Sequence, residues 1–189
     1  MSNEPVTVTL EFTPNPNTLK FVVNRHFLER GAANFTESAK ASVSPLAQKI
    51  FQIKGIAGVM IGTNFITITK SNDGDWDVIA EEVPKTVENF VLSGAQFFSP
   101  DWSPNTPAAS TGENADIENK IREILDNEIR PAVAMDGGDI VFGRFEDGIV
   151  YLHLQGACSS CPSSIATLKM GVETRLKEVI PEVKEVVQV

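Results

Sequence analysis

The chain contains no apolar run approaching the roughly 18 residues needed to cross a bilayer, so no membrane helix is expected. Nor is there any excess of basic side chains: 16 Lys and Arg stand against 25 Asp and Glu, a net charge of −9. Nucleic-acid binders neutralise phosphates with basic patches, and a chain this acidic repels them, so nucleic acid is not an expected partner. The acidity is spread out, with net −2 over residues 1–98 and net −5 over 116–189, which excludes an acidic tail. Residues 1–5 lack a basic stretch followed by an apolar one, so no secretory signal is expected there. No Ser/His/Asp arrangement stands out, and Thr13–Asn17 lacks the glycine–lysine core of a phosphate loop. Cysteine is nearly absent. There are two, Cys158 and Cys161, in one C-x-x-C. A secreted disulfide scaffold would carry more, at wider spacing. A reactive pair fits a reducing compartment, and a cytoplasmic protein is expected.

What is present is globular. Apolar residues make up 42% of 189, enough to bury a core in one large or two small domains. Residues 99–114 hold three prolines and many small polar residues without hydrophobic periodicity, the composition of a linker. Trp102 within it is expected to dock on the first domain, since linkers seldom expose an indole. The sequence therefore predicts an α+β protein with a first domain at 1–98, a Pro/Ser/Thr-rich linker at 99–114 and a second domain at 115–189.

The first domain reads ββαββα. Val6, Val8 and Leu10 alternate with polar residues as a strand, Thr13–Asn17 turns, and Leu19–Val23 returns antiparallel. Ser44 and Pro45 start a short helix to Ile53. Val59–Ile61 and Phe65–Thr69 form a hairpin about Gly62-Thr63-Asn64. A helix spans Trp76–Leu92 with Ile79, Val83, Val87, Phe90 and Val91 on one stripe, and Pro84 is expected to kink it or move its start.

The second domain reads αββαβ. Ile117, Ile121, Ile124, Leu125 and Ile129 fall at helical spacing, with Asp116 as cap and Pro131 as stop or bend. Asp136-Gly137-Gly138-Asp139 reads as a tight turn rather than a metal or acid–base pair. Strands at 140–145 and 149–154 flank Glu146-Asp147-Gly148, a hairpin signal. Pro162 opens a helix with Ile165, Leu168, Val172, Leu176 and Val179 inward, Pro181 ends it, and 183–189 closes as a strand. His153 reads as a strand residue with a packing or surface role, and His26 has no metal-spaced neighbour.

The C-x-x-C lies between a strand and a helix start, where free backbone N–H groups and the positive end of the helix dipole gather. That position favours thiolates, the nucleophilic and metal-binding form. In a loop, the motif is expected to contribute little to the core. Two buried cysteines that merely pack are the plain alternative, disfavoured because C-x-x-C at a helix start is an uncommon accident. Three chemistries compete with it. A thiol–disulfide oxidoreductase needs this placement, though near the front of a βαβ unit rather than before one last helix and strand. A structural zinc site needs four ligands in a closed site. An iron–sulfur cluster usually takes four thiolates. Either metal reading requires two chains, each contributing one pair.

The stretch Gly156-Ala157-Cys158-Ser159-Ser160-Cys161-Pro162-Ser163-Ser164, with Arg130-Pro131 and Asp136-Gly137-Gly138-Asp139 upstream, resembles the C-terminal domain of the NifU-like (Nfu) iron–sulfur scaffold family. Thr13-Pro14-Asn15-Pro16-Asn17-Thr18-Leu19-Lys20-Phe21 and Asp73–Trp76 resemble its N-terminal domain. The resemblance implies a non-enzymatic scaffold or carrier. It implies a cluster, usually [4Fe–4S], held between two subunits by Cys158 and Cys161 of each, with homodimerisation on cluster binding. It also implies upstream cluster-assembly proteins as suppliers and apo iron–sulfur client proteins as recipients. Ser160 departs from the family pattern, where glycine is frequent; the change adds a hydroxyl and removes no ligand.

Overall fold

A computed structural model describes residues 4–104, 114–159 and 162–189, the side chains of 162–165 excepted. The chain divides into two compact units, 1–104 and 105–189. The fold is α+β in both. Among the described residues no helix is long and apolar enough to cross a membrane. Residues 105–113, most of the expected linker, lie outside the described residues.

The first unit is a five-stranded antiparallel sheet in the order β1-β2-β5-β4-β3. Its strands are β1 (Val8–Phe12), β2 (Thr18–Val23), β3 (Ala33–Phe35), β4 (Ile56–Ile61) and β5 (Phe65–Lys70). Helices α1 (Pro45–Phe51) and α2 (Trp76–Leu92) complete it. Alternation along the strands sends Leu19, Phe21, Val23, Val59, Ile61, Ile66 and Ile68 into one core with Leu46 and Ile50 of α1. Helical spacing adds Ile79, Val83, Val87 and Phe90 of α2. Ser44 caps α1 as its type predicts. Its Oγ accepts from Ala47 N–H at 3.2 Å and donates to the Phe97 carbonyl at 2.8 Å. Trp102 stacks on Phe98 with ring centroids 4.0 Å apart, and both pack on this core.

One expectation for this unit is settled and one corrected. Pro84 does not move the start of α2, which runs from Trp76 to Leu92 with the proline inside it. An interior proline costs about 3 kcal/mol. Four buried apolar side chains at about 1.5–3 kcal/mol each outweigh that cost. The ββαββα order also gains β3, which at three residues carries no readable alternation.

In the second unit β6 (Gly138–Glu146) and β7 (Ile149–Gly156) form a hairpin, and β8 (Glu185–Gln188) joins β7 in parallel. Helix α5 (Pro162–Val179) is the crossover between β7 and β8. The core gathers Ile121, Leu125, Ile140, Phe142, Val150, Leu152, Val172 and Leu176. The first helix departs from expectation. It begins at Ala115 as α3 (Ala115–Ile124), with Asn114 at the cap position and Asp116 in the first turn. It does not stop at Pro131. A π turn, Leu125–Ile129, leads directly into α4 (Arg130–Met135), and the Arg130 N–H reaches back to Leu125 O. The cause is steric: a proline ring at 131 collides with the carbonyl four residues back in an α-helix, and the wider turn relieves it.

Candidate functional site

The site is built at the open end of the β6–β7 hairpin. The closed end is fixed by Asp147 and Gly148, both at positive φ (54° and 86°). From there the register runs back to place Asp139 opposite Gln155 and Gly138 opposite Gly156. Gly137 (φ 77°) turns the chain out of α4, and Gly156 (φ 61°) turns it out of β7. Ala157 N–H donates to Gly137 O at 3.1 Å and ties the two turns together. A single 3₁₀ turn, Ala157–Ser159, follows, closed by Ser159 Oγ donating to Gly156 O at 2.8 Å.

This turn directs Cys158 inward. Its side chain is 3% exposed and belongs to the core of the unit. The expectation that the motif contributes little to the core is therefore corrected for Cys158. Gly138 is the reason it fits. A Cβ on Gly138 would lie 2.5 Å from Cys158 Sγ, 3.0 Å from Cys158 Cβ and 3.1 Å from Gln155 O. The two glycines of Asp136–Asp139 thus differ in role: the first makes the turn, and the second clears room for the sulfur. Only Asp136 and Gly137 turn the chain, since Gly138 and Asp139 already belong to β6.

Asp139 is 3% exposed and shares Arg130 with two other acceptors. Arg130 Nε donates to Asp139 Oδ1 at 2.9 Å, Nη1 to Asp126 Oδ1 at 2.5 Å and Nη2 to Ile140 O at 2.8 Å. Burial pushes the Asp139 carboxyl above the usual aspartate range, and Arg130 offsets this only in part. This pair braces the first residues of β6, next to Gly138. Nothing local in the sequence pairs Arg130 with Asp139. Their separation of nine residues across a helix end and a turn matches no single periodicity.

Of the anticipated ligands, Cys158 is placed and Cys161 lies outside the described residues, as does Ser160. His26 is exposed in the first unit. His153 is exposed on β7, its Nδ1 3.0 Å from Val189 O, and Asp136 is exposed. Among the described residues no three of His, Cys, Asp and Glu gather where a metal could be held. A thiol on a braced strand–helix connection can act as a ligand or a nucleophile, and two per chain fall short of a four-thiolate site.

Comparison with known proteins supplies what geometry does not. Residues 8–94 match the family described as scaffold protein Nfu/NifU N terminal, and residues 121–187 match the NifU-like domain. A human protein named NFU1 iron-sulfur cluster scaffold homolog, mitochondrial, is 45% identical over 180 residues, 94% of this chain and 69% of its own length. The chain belongs to the Nfu/NifU iron–sulfur scaffold family. A second Nfu relative, from Drosophila grimshawi and bearing the same name, is 43% identical over 94% of this chain and 59% of its own length. The chain thus spans about six-tenths to seven-tenths of these Nfu relatives. A solution structure of a NifU-like protein from Saccharomyces cerevisiae is 26% identical over 53% of this chain and 92% of that one, with a TM-score of 0.45. The C-x-x-C falls inside the NifU-like match, and β1 through α2 fall inside the Nfu N-terminal match.

Proposed function

We propose that this chain holds an iron–sulfur cluster as cargo and passes it to apo-proteins without enzymatic turnover. The observation that carries the reading is that the chain's two cysteines form one C-x-x-C inside the NifU-like match. Thiolates are the ligands iron–sulfur clusters take, and a [4Fe–4S] cluster takes four. Cys158 and Cys161 supply two, and the same pair from a second chain across a two-fold axis supplies the rest. Cluster binding and the pairing of the two C-x-x-C motifs are then one event. The room that Gly138 leaves for Cys158, and the bracing of β6 by Arg130 and Asp139, support a fixed ligand position. A site shared between chains opens by subunit separation, which suits release to apo iron–sulfur clients after loading by upstream assembly proteins. A thiol-reducing aqueous compartment, the cytoplasm on the reading of the sequence, keeps the pair reduced.

Anaerobic loading tests this. The chain given iron and sulfide is expected to bind both in matching amounts and to sediment as a dimer. Cys158→Ser and Cys161→Ser should each lose stable loading, since each removes two of four thiolates. Zinc as the bound metal after purification, or catalysed disulfide reduction by the metal-free chain, would overturn the reading. A loaded monomer would overturn the bridging.

A further inference from the structure

The sheet of the first unit ends on β1, and the backbone direction there is readable. Asn24 N–H donates to Thr7 O at 3.2 Å, so the Thr7–Asn24 pair faces inward. By alternation Thr9 and Glu11 also turn their backbone groups toward β2, and Val8, Leu10 and Phe12 turn theirs outward. Among the described residues, no other element bonds those outward groups. Phe12 lies beside them with 86% of its surface exposed.

The remaining sheet edges are treated differently. β3 is three residues long. β6 breaks its register between Phe142 and Arg144, and its outward Ile140 carbonyl accepts from Arg130. β8 directs Glu185 N–H and Val189 N–H to β7, so Val186 N–H points out, where Glu173 Oε2 accepts it at 3.1 Å. Bulges, short strands and charged side chains over the edge are the usual means of preventing strand addition. β1 has no such bulge or cap, and it exposes an aromatic ring.

We propose that β1 is a homophilic docking edge, to which a second copy of this chain adds its own β1 antiparallel across a two-fold axis at Leu10. The strand Val8-Thr9-Leu10-Glu11-Phe12 is complementary to itself in that register. Val8 meets Phe12 of the second copy, Leu10 meets Leu10, and all three pairs turn backbone groups toward each other. Pro14, lacking an N–H, ends the ladder. The aromatic–β-branched Phe12–Val8 pairs are favourable cross-strand neighbours and cover the exposed rings. Glu11, the only charged side chain of the strand, meets Thr9 rather than another carboxylate. Centring on Thr9 moves Phe12 opposite Val6, beyond the strand, and centring on Glu11 opposes the two Glu11 carboxylates and sets Val8 against Pro14. Centring on Val8 leaves Phe12 outside the ladder, and centring on Phe12 sets Pro14 against Leu10. The interface is small, so affinity on the order of 0.1 mM is expected.

Sedimentation of the full chain with chelator and reductant present, up to about 1 mM, isolates this contact from any cluster-bridged dimer. Self-association should saturate at the dimer. Phe12→Pro removes an outward donor and an exposed ring at no cost to the core, and should abolish association. Thr9→Glu sets a carboxylate opposite Glu11 of the second copy, and Thr9→Lys sets an ammonium there. They should weaken and strengthen the dimer respectively, each by about threefold, an opposition that a merely structural role for Thr9 would not produce. Circular dichroism confirms that each variant is folded. A chain that stays monomeric at 1 mM, growth beyond the dimer, or equal association in all three variants would overturn the proposal.

Discussion

The contact between Gly138 and Cys158 can be tested without loading any cluster. In Gly138→Ala the new methyl starts 2.5 Å from Cys158 Sγ. An ordinary contact is about 3.5–4.0 Å, so sulfur and methyl must separate by about 1 Å inside a packed core. Overpacking of this size costs about 1–3 kcal/mol; we take about 2. Cys158→Ala deletes one buried sulfur and costs about 1 kcal/mol. In the double variant the methyl occupies the space that the sulfur leaves. The contacts to Cys158 Cβ at 3.0 Å and Gln155 O at 3.1 Å persist, so relief is incomplete. The double variant should then fall short of the summed single costs by about 1–1.5 kcal/mol. Gly148→Ala serves as control. It strains a φ of 86° at the closed end of the hairpin, where the new methyl meets Lys184 and Glu182 O rather than the sulfur, and its cost should add to that of Cys158→Ala. The assay is thermal unfolding of the metal-free chain followed by far-UV circular dichroism. Gly138→Ala should lower the second unit's midpoint by roughly 10 °C. Both tryptophans, Trp76 and Trp102, lie in the first unit, so their fluorescence reports on that unit alone. Costs that add to within about 0.5 kcal/mol, or a harmless Gly138→Ala, would refute the reasoning.

Two further outcomes are expected. Ser44→Ala removes a fully buried cap and orphans the Ala47 donor and the Phe97 acceptor, so the tryptophan-reported transition should lose about 1–2 kcal/mol. Arg130→Met acts through pH. The folded-state carboxyl of Asp139 already lies above its ordinary 3.8, so between the two values the native state binds more protons and stability falls as pH rises. Without Arg130 the window widens upward, and urea midpoints of the second unit should drop more steeply with rising pH than in the parent; equal slopes would show that the pair is not coupled.

Much of the architecture could be read from local pattern. Ser44-Pro45 placed α1, Asp147-Gly148 placed the β6–β7 turn, and the stripe of Ile79, Val83, Val87 and Phe90 placed α2. These signals act within a few residues of their causes. What escaped depends on partners distant in the chain. Nothing near Pro131 announces that the helix passes through it, because the relief lies in the widened turn before it. Gly138 looks like half of a turn until Cys158, 20 residues later, comes to rest against it. Cys158 itself was legible as a ligand type, from the C-x-x-C spacing, but not as a core residue. Its inward direction is set by the 3₁₀ turn and by the vacancy at Gly138.

The π turn before Pro131 also bears on how this helix tolerates insertion and deletion. A π turn holds one residue more than the α turn it replaces, so the segment Leu125–Ile129 reads as an absorbed insertion. One residue of an α-helix is about 100° of rotation, which the wider turn takes up locally instead of passing on. Deleting a single residue there would restore an ordinary spiral with the flanking faces kept, so Ile121 would remain seated and the Arg130 side chain would still meet Asp139. The proline ring that follows would again collide with the carbonyl four residues back. Lineages that shorten this helix by one residue should therefore carry another residue in place of the proline.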